Sequence, residues 1–405
     1  MSGEFAVLVL VVVTALAFDV TNGFHDTANA MACSIATGAL QPRAAVLLAG
    51  VLNLVGAFLS VEVALTVTNA VIRIQNPDGT PKAALLADGG TALLLIVLAG
   101  LIGGIVWNLL TWLLGLPSSS SHALFGGLIG ATIAGLGLGG VNWSGHGARL
   151  DGVLGKVVLP ALMSPLIAAV VAATGARLVH VITRSMAEQP RDRAFRLGQI
   201  GSASLISLSH GTNDAQKTMG VITLALIATG DWTDTKNIPL WVKIACALAI
   251  ALGTYLGGWR IIRTLGKGLV EIAPPQGLAA ESASAAVILA SSHLGFALST
   301  THVATGSITG AGLGHPGSRV QWRMVRRMVA AWLITLPSAA VVGALMWSVA
   351  HLLGGLAGAT AIVGLLVVLA GWAWLHSRNA PVDHHDVVAG GRPAATAGDR
   401  PRATV

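Results

Sequence analysis

Three ionisable residues stand where charge is hardest to keep. Asp26, Asp214 and Lys217 interrupt long apolar stretches, and Asp19, Glu62 and Glu281 sit in similar surroundings. Charge at membrane depth is costly and marks ion or substrate handling by default. Asp26 belongs to Asp19-Val20-Thr21-Asn22-Gly23-Phe24-His25-Asp26-Thr27-Ala28-Asn29. On a helix Asp26 and Asn29 share a face at i, i+3. A carboxylate beside an amide oxygen there suits a hard monovalent cation or a shared proton, and His25 is placed to carry that proton. The plainer alternative is a loop at the membrane surface carrying ordinary polar residues.

Hydroxyl clusters suggest a second chemistry. Pro117-Ser118-Ser119-Ser120-Ser121-His122 follows an apolar run and opens another, and Ala297-Leu298-Ser299-Thr300-Thr301-His302 does the same later. Pro followed by Ser/Thr suits a helix start. Helix N-termini present amides and partial positive charge that favour anions. Hydroxyls add donors that can wrap a tetrahedral oxyanion without an arginine buried in lipid. These hydroxyls can also merely cap helices or bond back to the preceding turn. Gly126/Gly130 and Gly306/Gly310 suit close helix packing, and His122 and His302 read first as hydrogen-bonding partners of neighbouring helices, with proton relay as the alternative.

The elements that must hold these groups are membrane helices. The chain has 405 residues, 54% hydrophobic and 10% charged, with mean hydropathy +0.75. Soluble domains carry roughly 25% charge. Apolar stretches at 5–18, 44–60, 91–116, 240–256 and 357–375 approach the ~20 residues that span a bilayer core. Their continuity excludes the alternation of barrel strands. A single helix over 5–40 would be about 54 Å long against a core of about 30 Å, so a break near 22–24 is expected. Such breaks free backbone groups for ions.

The two motifs each occur twice and in the same order. Gly23, Asp26 and Met31 align with Gly211, Asp214 and Met219, and the hydroxyl clusters stay in register through Gly126/Gly306 and Gly130/Gly310. Transporters are commonly built from such repeats, with substrate at their interface. The expected organisation is a first membrane repeat over 1–182, a basic linker over 183–198, a second repeat over 199–377 and a disordered tail over 378–405. Basic residues concentrate in short loops, which marks the cytoplasmic side. If each half crosses an odd number of times, the halves are inverted, the central loop is cytoplasmic and both termini lie outside. The positive charge therefore reads as topology, not nucleic-acid binding. Residues 1–18 lack a basic leader start and read as a retained helix. Cys33 and Cys246 read as small buried hydrophobes, and the tail histidines as a solvated segment.

At these motifs the chain resembles the PiT family of inorganic phosphate transporters. Gly23–Asn29 and Gly211–Lys217 match the family's repeated Asp signature, Ser299–His302 its Ser-Thr-Thr-His signature, and Ser119–His122 a serine variant of it. The resemblance runs from about residue 5 to 375. It implies an all-α polytopic fold of two inverted repeats with broken helices and re-entrant hairpins, about 10–12 membrane segments, in a homodimer of the bacterial inner membrane. It implies phosphate contacts from Ser119, Ser120, Ser121, Ser299, Thr300 and Thr301, with Asp26, Asn29 and Asp214 in the same site. Asp26, Asn29, Asp214, Asn22, Asn213 and His25 would serve the coupling cation.

His25 stands where the general pattern has Asn. That form resembles members taken as proton-coupled, some carrying neutral metal-phosphate. The expectation is H⁺ symport of phosphate with no bound cofactor, Mg²⁺ travelling with the anion if at all. Na⁺ coupling and sulfate or arsenate as substrate are the alternatives. A channel would need a continuous polar stripe. An intramembrane enzyme is disfavoured because the symmetry offers no asymmetric acid–base pair, and no Gly-x4-Gly-Lys-Ser/Thr motif supports a primary pump.

Overall fold

The computed structural model describes residues 3–64, 67, 71–73, 87–145, 151–185, 188–234 and 236–387. Within them the chain is helical, and the sheet-like pairing is confined to isolated bridges, Ile72 with Val141 and Val270 with Val320. The order is α1 (Gly3–Ala36), α2 (Pro42–Gly56), α3 (Thr91–Leu113), α4 (Ser120–Leu136), α5 (Leu159–Thr183), α6 (Glu188–Thr229), α7 (Leu240–Leu256), α8 (Trp259–Gly268), α9 (Pro274–His293), α10 (Thr300–Gly314), α11 (Trp322–Leu353) and α12 (Gly355–Ser377). Five helices among the described residues are long and apolar enough to cross a membrane, or six if α7 and α8, bent by 64°, form one span. In lipid a helix satisfies its own backbone, which is why these apolar sequences take this form. The outer faces of α5, α11 and α12 expose Leu166, Leu333 and Val368, as a lipid-facing surface requires.

The expected break near 22–24 is absent. Helix α1 runs unbroken for 34 residues, about 51 Å at 1.5 Å per residue, so it projects from or tilts in the bilayer. The polar stretch stays helical because its hydroxyls return to the helix. Thr21 Oγ1 donates to the Phe18 carbonyl at 2.8 Å and Thr27 Oγ1 to that of Gly23 at 2.7 Å. Asp19, Asp26 and Asn29 on the same stretch bond polar groups of other helices. The break occurs instead between α7 and α8, where Gly257 has a φ of 71°, a conformation glycine adopts without penalty.

Two other expectations shift. Much of the basic linker is already helix, since α6 starts at Glu188 with a proline in its first turn, where proline is tolerated. The stretch expected to be disordered from 378 is partly laid against α8. Arg260 donates to the carbonyls of Ser377 and Ala380 at 2.8 and 2.5 Å, Lys267 to that of Asp386 at 3.2 Å, and Val387 is buried. Residues 388–405 lie outside the described residues.

Helices from one half pack on those of the other: α1 on α7 and α6 on α2, α4 on α11 and α10 on α5. The aligned glycines do equivalent work at these crossings. A Cβ on Gly23 would lie 2.5 Å from the Ile250 carbonyl oxygen, and one on Gly211 2.2 Å from that of Asn53. On the hairpins, Gly126 would meet the Leu336 oxygen at 2.4 Å and Gly306 that of Pro165 at 2.3 Å. Close backbone approach is thus built into both motif types.

Candidate functional site

Helices α3–α4 and α9–α10 form two hairpins whose tips meet beside α1 and α6. Each inner helix opens on a capping serine. Ser119 Oγ accepts from the His122 amide at 3.1 Å, and Ser299 Oγ from that of His302 at 3.2 Å. Each cap takes one of the four amides that a helix start leaves open. These two serines therefore do the capping that was the plainer reading of the clusters, and the residues after them reach into the interior.

The charged centre lies between the tips and the two long helices. Ser120 Oγ donates to Asp26 Oδ1 at 3.0 Å. Thr300 Oγ1 lies within hydrogen-bond reach of both carboxylates, 3.0 Å from Asp214 Oδ2 and 3.3 Å from Asp26 Oδ2. Asn29 Nδ2 donates to Thr301 at 3.0 Å and Thr300 at 3.3 Å, while its Oδ1 has no partner among the described residues. Ser121 Oγ donates to the Leu298 carbonyl at 3.1 Å, joining one tip to the other. Lys217 Nζ donates to Ser121 Oγ at 2.6 Å, to the Leu298 carbonyl at 2.8 Å and to Asp214 Oδ1. All of these side chains are buried.

Each carboxylate has a basic side chain beside it, as burial demands. Lys217 and His210 flank Asp214, with His210 Nε2 2.8 Å from Asp214 Oδ2. His25 Nδ1 is 2.7 Å from Asp26 Oδ1, and its Nε2 is 3.1 Å from Thr111 Oγ1. Ser118 Oγ donates to Thr111 Oγ1 at 2.8 Å. Asp26, His210 and Asp214 each present a ligand atom within 4.8 Å of the others, a donor set that a cation can use.

Of the twelve residues singled out from sequence, Ser120, Ser121, Thr300, Thr301, Asp26, Asn29, Asp214 and His25 meet in this cluster, and Ser119 and Ser299 frame it as caps. Asn213 lies on the same helix but bonds the second hairpin, donating to Ser292 Oγ at 2.9 Å and the Phe296 carbonyl at 3.3 Å. Asn22 is buried on α1, and its Oδ1 has no partner among the described residues. Glu62 is exposed, whereas Asp19 and Glu281 are buried outside the cluster, bonded to Thr218 and to Ser34 and Ser202 respectively.

Sequence reasoning missed His210, Thr111 and Ser118, and left Lys217 outside the site. His210 had a usable signal, its i, i+4 spacing to Asp214. Thr111 had none, being one hydroxyl in an apolar run.

A buried charged cluster covered by two hairpin tips inside a bundle of membrane-length helices is the architecture of a multi-pass membrane transporter. The phosphate transporter family pattern matches residues 22–343. The chain belongs to that family, whose members are transporters and not enzymes. It is 58% identical to a probable low-affinity inorganic phosphate transporter of Mycobacterium tuberculosis over 98% of this chain and 90% of that protein. It is 41% identical to the protein so described in Bacillus subtilis, over 85% of this chain and 97% of that one. Among solved structures, a sodium-dependent phosphate transporter superposes with a TM-score of 0.72 at 21% identity, covering 85% of this chain and 99% of that one.

Proposed function

We propose that this protein imports inorganic phosphate by symport with H⁺ across the bacterial inner membrane, as free phosphate or as neutral metal-phosphate with Mg²⁺. The observation that carries the reading is the relay Asp26–His25–Thr111, with Ser118 at its far end. An imidazole held between a carboxylate and a hydroxyl can pass a proton between them. The relatives described as inorganic phosphate transporters support the substrate.

Phosphate sits between the tips, wrapped by Ser120, Ser121, Thr300 and Thr301 and by the helix starts that Ser119 and Ser299 cap, with Lys217 as counter-charge. Asp26 and Asp214 are acceptors, so the anion that suits them carries its own proton to donate. Dihydrogen phosphate does and sulfate does not, which favours phosphate over sulfate but leaves arsenate as a competitor. Asn22 and Asn213 act at one remove, Asn213 by holding the second hairpin. The protein works as a homodimer of inverted halves, the basic segment around 183–198 cytoplasmic and both termini outside. The cross-packing of α1 with α7 and α6 with α2 supports the paired halves.

Na⁺ coupling is the second reading. It is favoured by the unpartnered Asn29 Oδ1 beside Asp26 and by the sodium-dependent protein that shares this fold.

The test is radiolabelled phosphate uptake into proteoliposomes under imposed pH or Na⁺ gradients, with and without Mg²⁺ and with arsenate or sulfate as competitor. Uptake driven by an acid-outside gradient and blocked by arsenate is expected. Uptake that follows Na⁺ alone would sink the proton assignment.

A further inference from the structure

Behind the hairpin tips, away from the charged cluster, His122 and His302 pack with ring centroids 4.8 Å apart, and Trp332 of α11 lies over His302 at 4.1 Å. These rings line a cavity of about 580 Å³ between α5 and α11, within the range of small-molecule sites. Its walls are apolar, and Leu166 and Leu333, which line it, are 60% and 67% exposed on the lipid-facing side. It therefore opens sideways, toward acyl chains. No Lys, Arg, Asp or Glu lines it.

The wall nevertheless carries polar groups with nothing to bond. His302 Nε2, Thr305 Oγ1, Thr309 Oγ1 and Trp332 Nε1 have no partner among the described residues. His302, Thr305 and Thr309 are only 3%, 1% and 8% exposed. Leaving a buried polar group unmatched is costly. The roles are defined chemically. His302 Nδ1 is 3.2 Å from the Ala161 carbonyl, which only accepts, so Nδ1 holds the proton and Nε2 is left as an acceptor. Trp332 Nε1 can only donate. An acceptor and a donor in one aromatic stack, in an uncharged apolar cavity, match a single neutral alcohol group.

We propose that this cavity binds a lipid alcohol, whose hydroxyl donates to His302 Nε2 and accepts from Trp332 while its acyl chain lies along Leu166 and Val329. His122 and His302 directly follow Ser121 and Thr301, so the occupant buttresses the hairpin tips from behind.

The test uses the full-length protein in proteoliposomes and two photoreactive diacylglycerols with a diazirine in one acyl chain, one with its hydroxyl free and one with it methylated. The free alcohol labels α5 and α11 around the cavity about tenfold more than the methyl ether, the worth of one buried hydrogen bond. Unlabelled diacylglycerol removes that signal. Trp332→Phe keeps the stacked ring, loses the donor and lowers alcohol labelling about as much. Because the two probes are compared on the unaltered protein, the result stands even if the variant fails to fold. Equal labelling by both probes overturns the proposal. So does an absence of labelling at α5 and α11, and a disulfide between copies joining Leu166→Cys to Leu333→Cys would then identify a second copy as the cover.

Discussion

Lys217 is the residue whose removal tests the site most sharply. Its ammonium group has three donors and spends them on Asp214, Ser121 Oγ and the Leu298 carbonyl. It thereby clips α6 to the tips of both hairpins. Lys217→Met keeps an unbranched side chain of nearly the same length and deletes the charge, leaving a buried carboxylate short of its main partner. Breaking a buried pair from one side costs about 3–5 kcal/mol, or about two to three and a half powers of ten in the population of the clipped arrangement at 1.4 kcal/mol per decade. Phosphate uptake at low substrate should fall at least about a hundredfold, and the detergent-solubilised protein should unfold at lower temperature. Adding Asp214→Asn removes the stranded charge, so the double variant regains thermal stability while uptake stays lost. Proteoliposome uptake and a thermal unfolding curve on the same preparations give both readouts. Wild-type uptake and stability for Lys217→Met, or additive loss of stability in the double variant, would refute the clip.

Asp26→Asn and Asp214→Asn should each abolish uptake while the protein remains in the membrane, measured as transport against surface-detected protein; near-normal uptake by both would sink the site assignment. His25→Asn breaks the contact between Asp26 and Thr111 and should remove acceleration by an acid-outside gradient, while exchange of internal for external phosphate, which needs no net proton movement, continues. Gly130→Ala should prevent the first hairpin from seating, because its Cβ would lie 1.8 Å from the Ala340 carbonyl oxygen. Overpacking of this kind costs upwards of about 1–3 kcal/mol. Gly201→Ala, with nothing within 4 Å, is the neutral control, and yield of folded protein separates the two.

Composition and the paired motifs were enough to establish a helical membrane protein and the family resemblance, and to single out most of the residues that meet in the candidate cluster. Lipid removes the alternatives to helix, and an ionisable group or hydroxyl run inside an apolar stretch stands out against its neighbours. The state of α1 was not readable there. Polar residues and a glycine at 21–29 look like a break, but Thr21 and Thr27 bond within the helix and Gly23 admits α7, so the chain continues. Nor could the sequence separate Ser119 and Ser299, which cap, from Ser120 and Thr300, which reach the carboxylates; that depends on where each helix begins. Thr111 and Asn213 acquired their roles only when α1 and the second hairpin were brought against them. Residue type records the chemistry available at a position, whereas partnership is a matter of distance between segments far apart in the chain. Only packing decides that.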